Sequence, residues 1–294
     1  MKKELALTIL LSNPIPDEIT IKRIEHILKQ SIDWHTVFRI SLTERTTFII
    51  CKNLLEYHYF WAVPDCLRIV WNTAYIGNIK RNEQLLSYYY ILKRVFSQKE
   101  IVAIPGSGIM LLCSVYRDML GVRLLHDIDF LTETKYLPNI DVFLYTLDFK
   151  KIYINDNDFL INPSDAFGCD VLYSKYVNST YINCDFCTCI KEGAALYTYL
   201  IDCMKSKNTT DYYFAQLVML YLSAEKSWNG NYYNSNVKHF TYSRLLDLHL
   251  FKKIYANINV THLLNGIPNS SYLSEKIQNV DATLNFFKKE GYLT

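Results

Sequence analysis

The amino-acid sequence predicts an α+β protein, a mixed sheet with helices flanked by N- and C-terminal helical subdomains. Three observations carry this. Residues 1–98 place apolar side chains at helical spacing and contain no clear strand run. Between 99 and 190, short β-rich runs bounded by glycine, proline and asparagine alternate with helical patterns. From 191 to 294 the helical spacing returns. The expected division is therefore 1–98, helical; 99–190, the α/β core; and 191–294, helical.

Bulk properties set outer bounds. Half of the 294 residues are apolar and a fifth are charged, enough for a sizeable core. The formal net charge of +2 leaves no electrostatic footprint for general nucleic-acid binding, so a long nucleic acid is not an expected partner. Glu4 interrupts the short apolar run after Met1-Lys2-Lys3, and no small-residue cleavage site follows it. No apolar run reaches the roughly 20 residues a membrane span needs. The expectation is a cytoplasmic protein without a membrane partner.

The N-terminal region begins with Asp17–Gln30, where Ile19, Ile21, Ile24, Ile27 and Leu28 take helical spacing with a polar opposite face. A second amphipathic segment starts at Asp33-Trp34 and a third at Thr43-Glu44. After the break at Val63-Pro64-Asp65, a long helical pattern runs from Cys66 to Ser97. The character then changes. Ile101–Pro105 reads as a buried strand, Ile109–Leu120 as a helix closed by Gly121, and Leu124–Thr132 as a second strand. Leu137–Leu147 suits a helix. Strands are expected at Lys150–Asn155, Asp158–Ile161, Gly168–Ser174 and Tyr181–Thr188. Helices follow at Glu192–Lys205, Asp211–Ser227, Thr241–Tyr255 and Ser271–Lys288, with Trp228–Lys238 as a loop.

Cys184, Cys187 and Cys189 form the tightest thiol group among eight cysteines. A zinc site would need a fourth ligand, for which Cys169 or Cys203 is the candidate, and alternation along a strand explains the group at least as well.

Chemistry concentrates in Ile101–Glu133. Asp127 and Asp129 lie two apart on a strand and so share a face, their Cα atoms roughly 6.5 Å apart. They sit among Ile128, Phe130 and Leu131, where unpaired charge is costly. Asp170, in the run Gly168–Leu172, is the candidate third carboxylate. Oxygen-only ligation of this kind suits Mg²⁺, completed by water and substrate phosphates. The Gly106-Ser107-Gly108 turn offers backbone N–H groups to phosphate oxygens. His126 is a candidate general base, although regular alternation would turn it away from Asp127. Arg123 suits a phosphate contact, or else an ion pair with Asp118 or Glu133. Arg244 and Asp247, three apart on a helix, are expected to pair with each other.

This arrangement resembles the nucleotidyltransferase superfamily that includes DNA polymerase β. It is more closely similar to the bacterial "uncharacterised nucleotidyltransferase" family. Members of that family run from a strand with Lys-Gly, through a helix, to Arg-x-x-Ser-Asp-Ile-Asp-Leu-Leu and a later strand with Val-Asp-Leu-His. The corresponding residues here are Pro105-Gly106, Arg123, His126-Asp127-Ile128-Asp129-Phe130-Leu131 and Cys169-Asp170-Val171-Leu172. The helix Tyr242–Leu248 is similar to the family's Arg-x-x-Asp segment. Pro105 stands in place of lysine, His126 in place of serine and Tyr173 in place of histidine.

The resemblance implies a polymerase β-like core with Asp127, Asp129 and Asp170 as catalytic metal ligands. It also implies nucleotide binding at Gly106, Ser107, Gly108 and Arg123. The activity it implies is transfer of an NMP from an NTP, with Mg²⁺ or Mn²⁺, to a small-molecule, peptide or protein acceptor, releasing pyrophosphate. The alternative is a catalytically degenerate nucleotide-binding or interaction module, such as a toxin–antitoxin or peptide-biosynthesis partner. Pro105 is its best support, because the lost lysine removes a cation from the triphosphate end.

Overall fold

The computed structural model describes residues 3–152, 171–190, 193–206, 208–224, 241–258, 267 and 270–293. The expected strand Asp158–Ile161, the loop Trp228–Lys238 and Asp170 lie outside these residues.

Five helices open the chain: α1 (Lys3–Leu11), α2 (Glu18–Leu28), α3 (Trp34–Thr43), α4 (Thr47–Glu56) and the long α5 (Asp65–Gln98). Asp17 caps α2 by accepting a hydrogen bond from the Thr20 amide at 2.8 Å, and Asp33 does the same for α3 through Thr36 at 3.1 Å. Each cap satisfies one of the donors that a helix start leaves unpaired, worth ~1 kcal/mol. The apolar faces of these helices enclose their own cluster, with Trp71 at 0 % exposure between Trp34 and Phe38.

The sheet contains β1 (Ala103–Pro105), β2 (Ile128–Thr132), β3 (Lys150–Ile152), β4 (Val171–Val177) and β5 (Thr180–Cys187), in the order β1-β2-β5-β4-β3. The β2–β5 pair is parallel and the other three are antiparallel. This is the mixed sheet expected of an α+β core with flanking helices. The hairpin β4–β5 turns through Asn178 and Ser179, both in left-handed backbone. Small polar residues tolerate that conformation best after glycine.

Between the strands lie α6 (Ser107–Cys113) and α7 (Leu137–Thr146). The helix expected over Ile109–Leu120 thus starts earlier and stops after two turns. Long-range bonds hold the later part of the segment that follows. Asn78 and Asn82 of α5 donate their side-chain amides to the carbonyls of Gly121, Arg123 and Leu120 at 2.5–3.1 Å. Those carbonyls leave the helix register to reach them. The strand expected from Leu124 likewise begins only at Ile128.

One sheet face is closed by aromatics. Phe130 and Phe186 stack at 5.1 Å, and Phe96 of α5 meets both edge-on. The C-terminal helices α8 (Ala194–Lys205), α9 (Thr209–Ala224), α10 (Tyr242–Ile254) and α11 (Ser270–Lys289) share this larger apolar cluster. Among the described residues, no helix is long and apolar enough to cross a membrane. Cys184 and Cys187 are buried in β5 as small apolar side chains, while Cys189 is exposed beyond it.

Candidate active site

Side-chain alternation places the acidic residues. Ile128 and Phe130 are buried at 0–1 % exposure on the aromatic face, so Asp129 projects from the opposite one. Parallel pairing sets Asp129 beside Asp185 and Ile128 beside Cys184. The carboxylate oxygens of Asp127, Asp129 and Asp185 come within 4.8 Å of one another. The sequence argument expects such a cluster but names Asp170 as its third member. Reading Tyr181–Thr188 for its cysteines passes over Asp185. The signal was present: a carboxylate between two apolar strand residues, Cys184 and Phe186, just as Asp129 lies between Ile128 and Phe130.

Electrostatics make this arrangement costly on its own. Burial, and then the charge of Asp127, push the Asp185 pKa up to about 7. Asp185 Oδ1 is also buried without a hydrogen-bond partner. A buried carboxylate oxygen lacking a donor costs of order 1–3 kcal/mol or more. A divalent cation removes both the repulsion and the unmet acceptor. A donor set of carboxylate oxygens alone fits Mg²⁺ or Mn²⁺ rather than a metal preferring thiolate or imidazole. The three residues therefore pass the chemical test for holding the implied cation.

The glycine turn serves this site in two ways. The Gly106 amide donates to the Asp129 carbonyl at 2.7 Å, so it is committed to the protein. A Cβ at position 106 would meet the Asp129 Cβ at 2.7 Å, inside contact distance. Glycine here lets the chain pass against the carboxylate-bearing strand. Ser107 and Gly108, by contrast, line a cavity of about 180 Å³ together with Asp127 and Asp129. At ~10–15 Å³ per water position, that is room for a phosphate chain.

Arg123 lines the same cavity. Its guanidinium meets Asp247 of α10 two-pronged, Nη2 to Oδ2 at 2.9 Å and Nε to the two oxygens at 3.2 and 3.3 Å. Tyr116 donates its hydroxyl to Asp247 Oδ1 at 2.7 Å. Burial opposes the Arg123 charge, but Asp247 and Tyr116 more than restore it, so its pKa is raised. This corrects two expectations. Arg123 pairs with neither Asp118 nor Glu133, whose carboxylate is taken by Lys135 and Lys205. Asp247 pairs with Arg123 and not with Arg244, which donates instead to the Ser223 carbonyl. The reason is burial. Asp247 is only 5 % exposed, and a carboxylate in that position needs several donors at once. A neighbour on the same helical face cannot supply them.

His126 precedes β2, so strand alternation does not reach it. It lines the cavity, and Arg81 donates to its carbonyl at 3.1 Å. Burial and the Arg81 charge lower its pKa, keeping the imidazole neutral near pH 7.

Residues 30–171 match the model of a family described as uncharacterised nucleotidyltransferase. That is the family the motifs resemble. The match runs from α3 to the first residue of β4. It contains Arg123, Asp127 and Asp129, while Asp185 and Asp247 lie beyond it. At a coarse level, this match supports a nucleotidyl-transfer role. No curated protein and no solved structure matches the chain.

Proposed function

We propose that the protein moves an NMP from an NTP to a hydroxyl or phosphate acceptor on a small molecule, peptide or protein, releasing pyrophosphate. The observation carrying this reading is the carboxylate cluster: three aspartates within 4.8 Å, one with an unpartnered buried oxygen and a pKa near 7. Asp127, Asp129 and Asp185 would hold Mg²⁺ or Mn²⁺, which neutralises charge on the transferring phosphoryl group and lowers the pKa of the attacking hydroxyl.

The chain's own residues supply the rest. Asp129 and Asp185, side by side on parallel strands, fix the metal-side oxygens on a rigid sheet rather than a loop. Ser107 and Gly108 border the space for the phosphates, and Arg123 offers them a guanidinium already oriented by Asp247. In this reading Asp185 takes the role assigned to Asp170 from sequence, and Gly106 supports Asp129 in place of touching phosphate.

Incubation with each labelled NTP and Mg²⁺ tests the proposal, followed by separate assays for pyrophosphate and for nucleotide joined to an acceptor. Pyrophosphate release that disappears in Asp129→Ala and Asp185→Ala supports it. Release that survives both substitutions removes the site. NTP binding without release by the wild type favours the degenerate nucleotide-binding module, the reading suggested by Pro105.

A further inference from the structure

The cavity that Asp127 and Asp129 line also carries cations. Arg45, Arg123 and Arg244 line it together with Asp247, although they come from the α3–α4 turn, the loop before β2 and α10. Three guanidiniums around one cavity offer a planar set of donors that suits phosphate oxygens. Arg45 and Arg123 are near enough to interact. Loss of water on the cavity side, and then the charge of Arg123, lower the Arg45 pKa.

The turn bearing Arg45 is fastened in place. Arg45 itself has φ +55°, a left-handed conformation that arginine rarely adopts. The preceding residue, Glu44, accepts a hydrogen bond from the Tyr242 amide at 2.8 Å through its carboxylate. Its carbonyl accepts another from the Ser243 amide at 3.3 Å. The start of α10 is thereby tied to the turn that presents Arg45. One turn further along, the same helix supplies Asp247, which holds Nε and Nη2 of Arg123. The remaining nitrogen, Nη1, lies toward Gly108, 3.8 Å from where a Cβ there would stand.

We infer that Arg45 and Arg123 grip the β- and γ-phosphates of the NTP, with Arg45 as a direct phosphate contact and Asp247 as the positioning residue for Arg123. The inference rests on the nucleotidyl-transfer reading and extends it. The N-terminal helices thereby become part of the active site.

Nucleotide binding separates the possibilities. Calorimetric affinities for Mg²⁺–NTP and for the matching NMP are measured on the full chain, for wild type and for Arg45→Ala, Arg45→Lys, Asp247→Asn and Asp247→Glu. Arg45 is exposed overall, and the thermal unfolding of each variant checks that it folds. Arg45→Ala is expected to weaken NTP binding about tenfold, the loss of one charge-assisted contact, and to leave NMP binding unchanged. Arg45→Lys should recover part of that loss. Asp247→Asn should lower the NTP-to-NMP affinity ratio in the same direction, and Asp247→Glu should restore some of it. An unchanged ratio in folded Arg45→Ala, with pyrophosphate release intact in the wild type, overturns this inference alone. Equal weakening of NTP and NMP also overturns it, since the contact would then be to the nucleoside or α-phosphate. A wild type that binds no Mg²⁺–NTP overturns both the inference and the reading beneath it.

Discussion

Asp129 and Asp185 are register partners across the parallel strands β2 and β5, so two carboxylates face the same side of the sheet with no residue between them. Burial, and then the charge of nearby Asp127, raise the cost of ionising Asp185. Asp185→Asn should therefore make the metal-free protein more stable while abolishing metal-linked stabilisation. Thermal unfolding with and without millimolar Mg²⁺ checks this. The wild type should rise in Tm on adding metal, by mass action on the native state, and Asp185→Asn should not.

The same residue predicts a pH dependence in metal-free protein. Its native pKa of about 7 lies above its ordinary 3.8, so between those values the native state holds a proton the unfolded chain has released. Stability then falls as pH rises through that window, because the native state binds more protons than the unfolded one. The slope reaches at most about 1.4 kcal/mol per pH unit, a total of up to ~4 kcal/mol. Denaturant midpoints measured from pH 4.5 to 7.5 in chelator should decline, and the decline should be absent in Asp185→Asn. Saturating Mg²⁺ should flatten or reverse it, since metal competes with the proton.

Gly106→Ala tests whether close approach, rather than phosphate contact, explains the glycine. The added methyl would lie 2.7 Å from the Asp129 Cβ, so β2 or β1 must shift. Overpacking of this kind costs about 1–3 kcal/mol. It should also reduce pyrophosphate release at least as much as it reduces NTP affinity, because the displaced group is a proposed metal ligand. A variant with normal turnover and a large loss of NTP affinity would return Gly106 to the phosphates.

Much of this protein was legible in its sequence, and the gaps share one cause. Asp17 and Asp33 mark helix starts through bonds three residues away, and both helices fall where the spacing puts them. Asp127-Ile128-Asp129 announces a strand carrying carboxylates because apolar neighbours flank them. What escaped depends on partners far along the chain. Asp185 acquires meaning only when β5 lies parallel to β2, 56 positions earlier in register. Asp247 has an arginine three residues away on its own helix, yet it takes one 124 positions distant, because burial rewards a two-pronged donor. The path of the chain at Leu120–Arg123 is held in the same way by asparagines of α5.

Those asparagines give the last prediction. Asn82 sits at 0 % exposure and spends its amide on two carbonyls, Leu120 at 2.5 Å and Arg123 at 2.7 Å. Asn78 makes a similar pair of bonds, one of them also to Arg123. Together they hold the backbone at the residue whose guanidinium borders the phosphate space, from a helix that itself contributes no carboxylate. Asn82→Ala leaves two buried carbonyls with one donor fewer, at about 1–3 kcal/mol. If α5 acts only as packing, that loss appears in stability and nowhere else. If it positions Arg123, the variant assayed well below its Tm should show a raised KM for NTP, with kcat less affected. Asn82→Gln, which keeps the amide but lengthens the arm, should not fully rescue KM, because two acceptors 2.5–2.7 Å from one nitrogen leave little room for displacement.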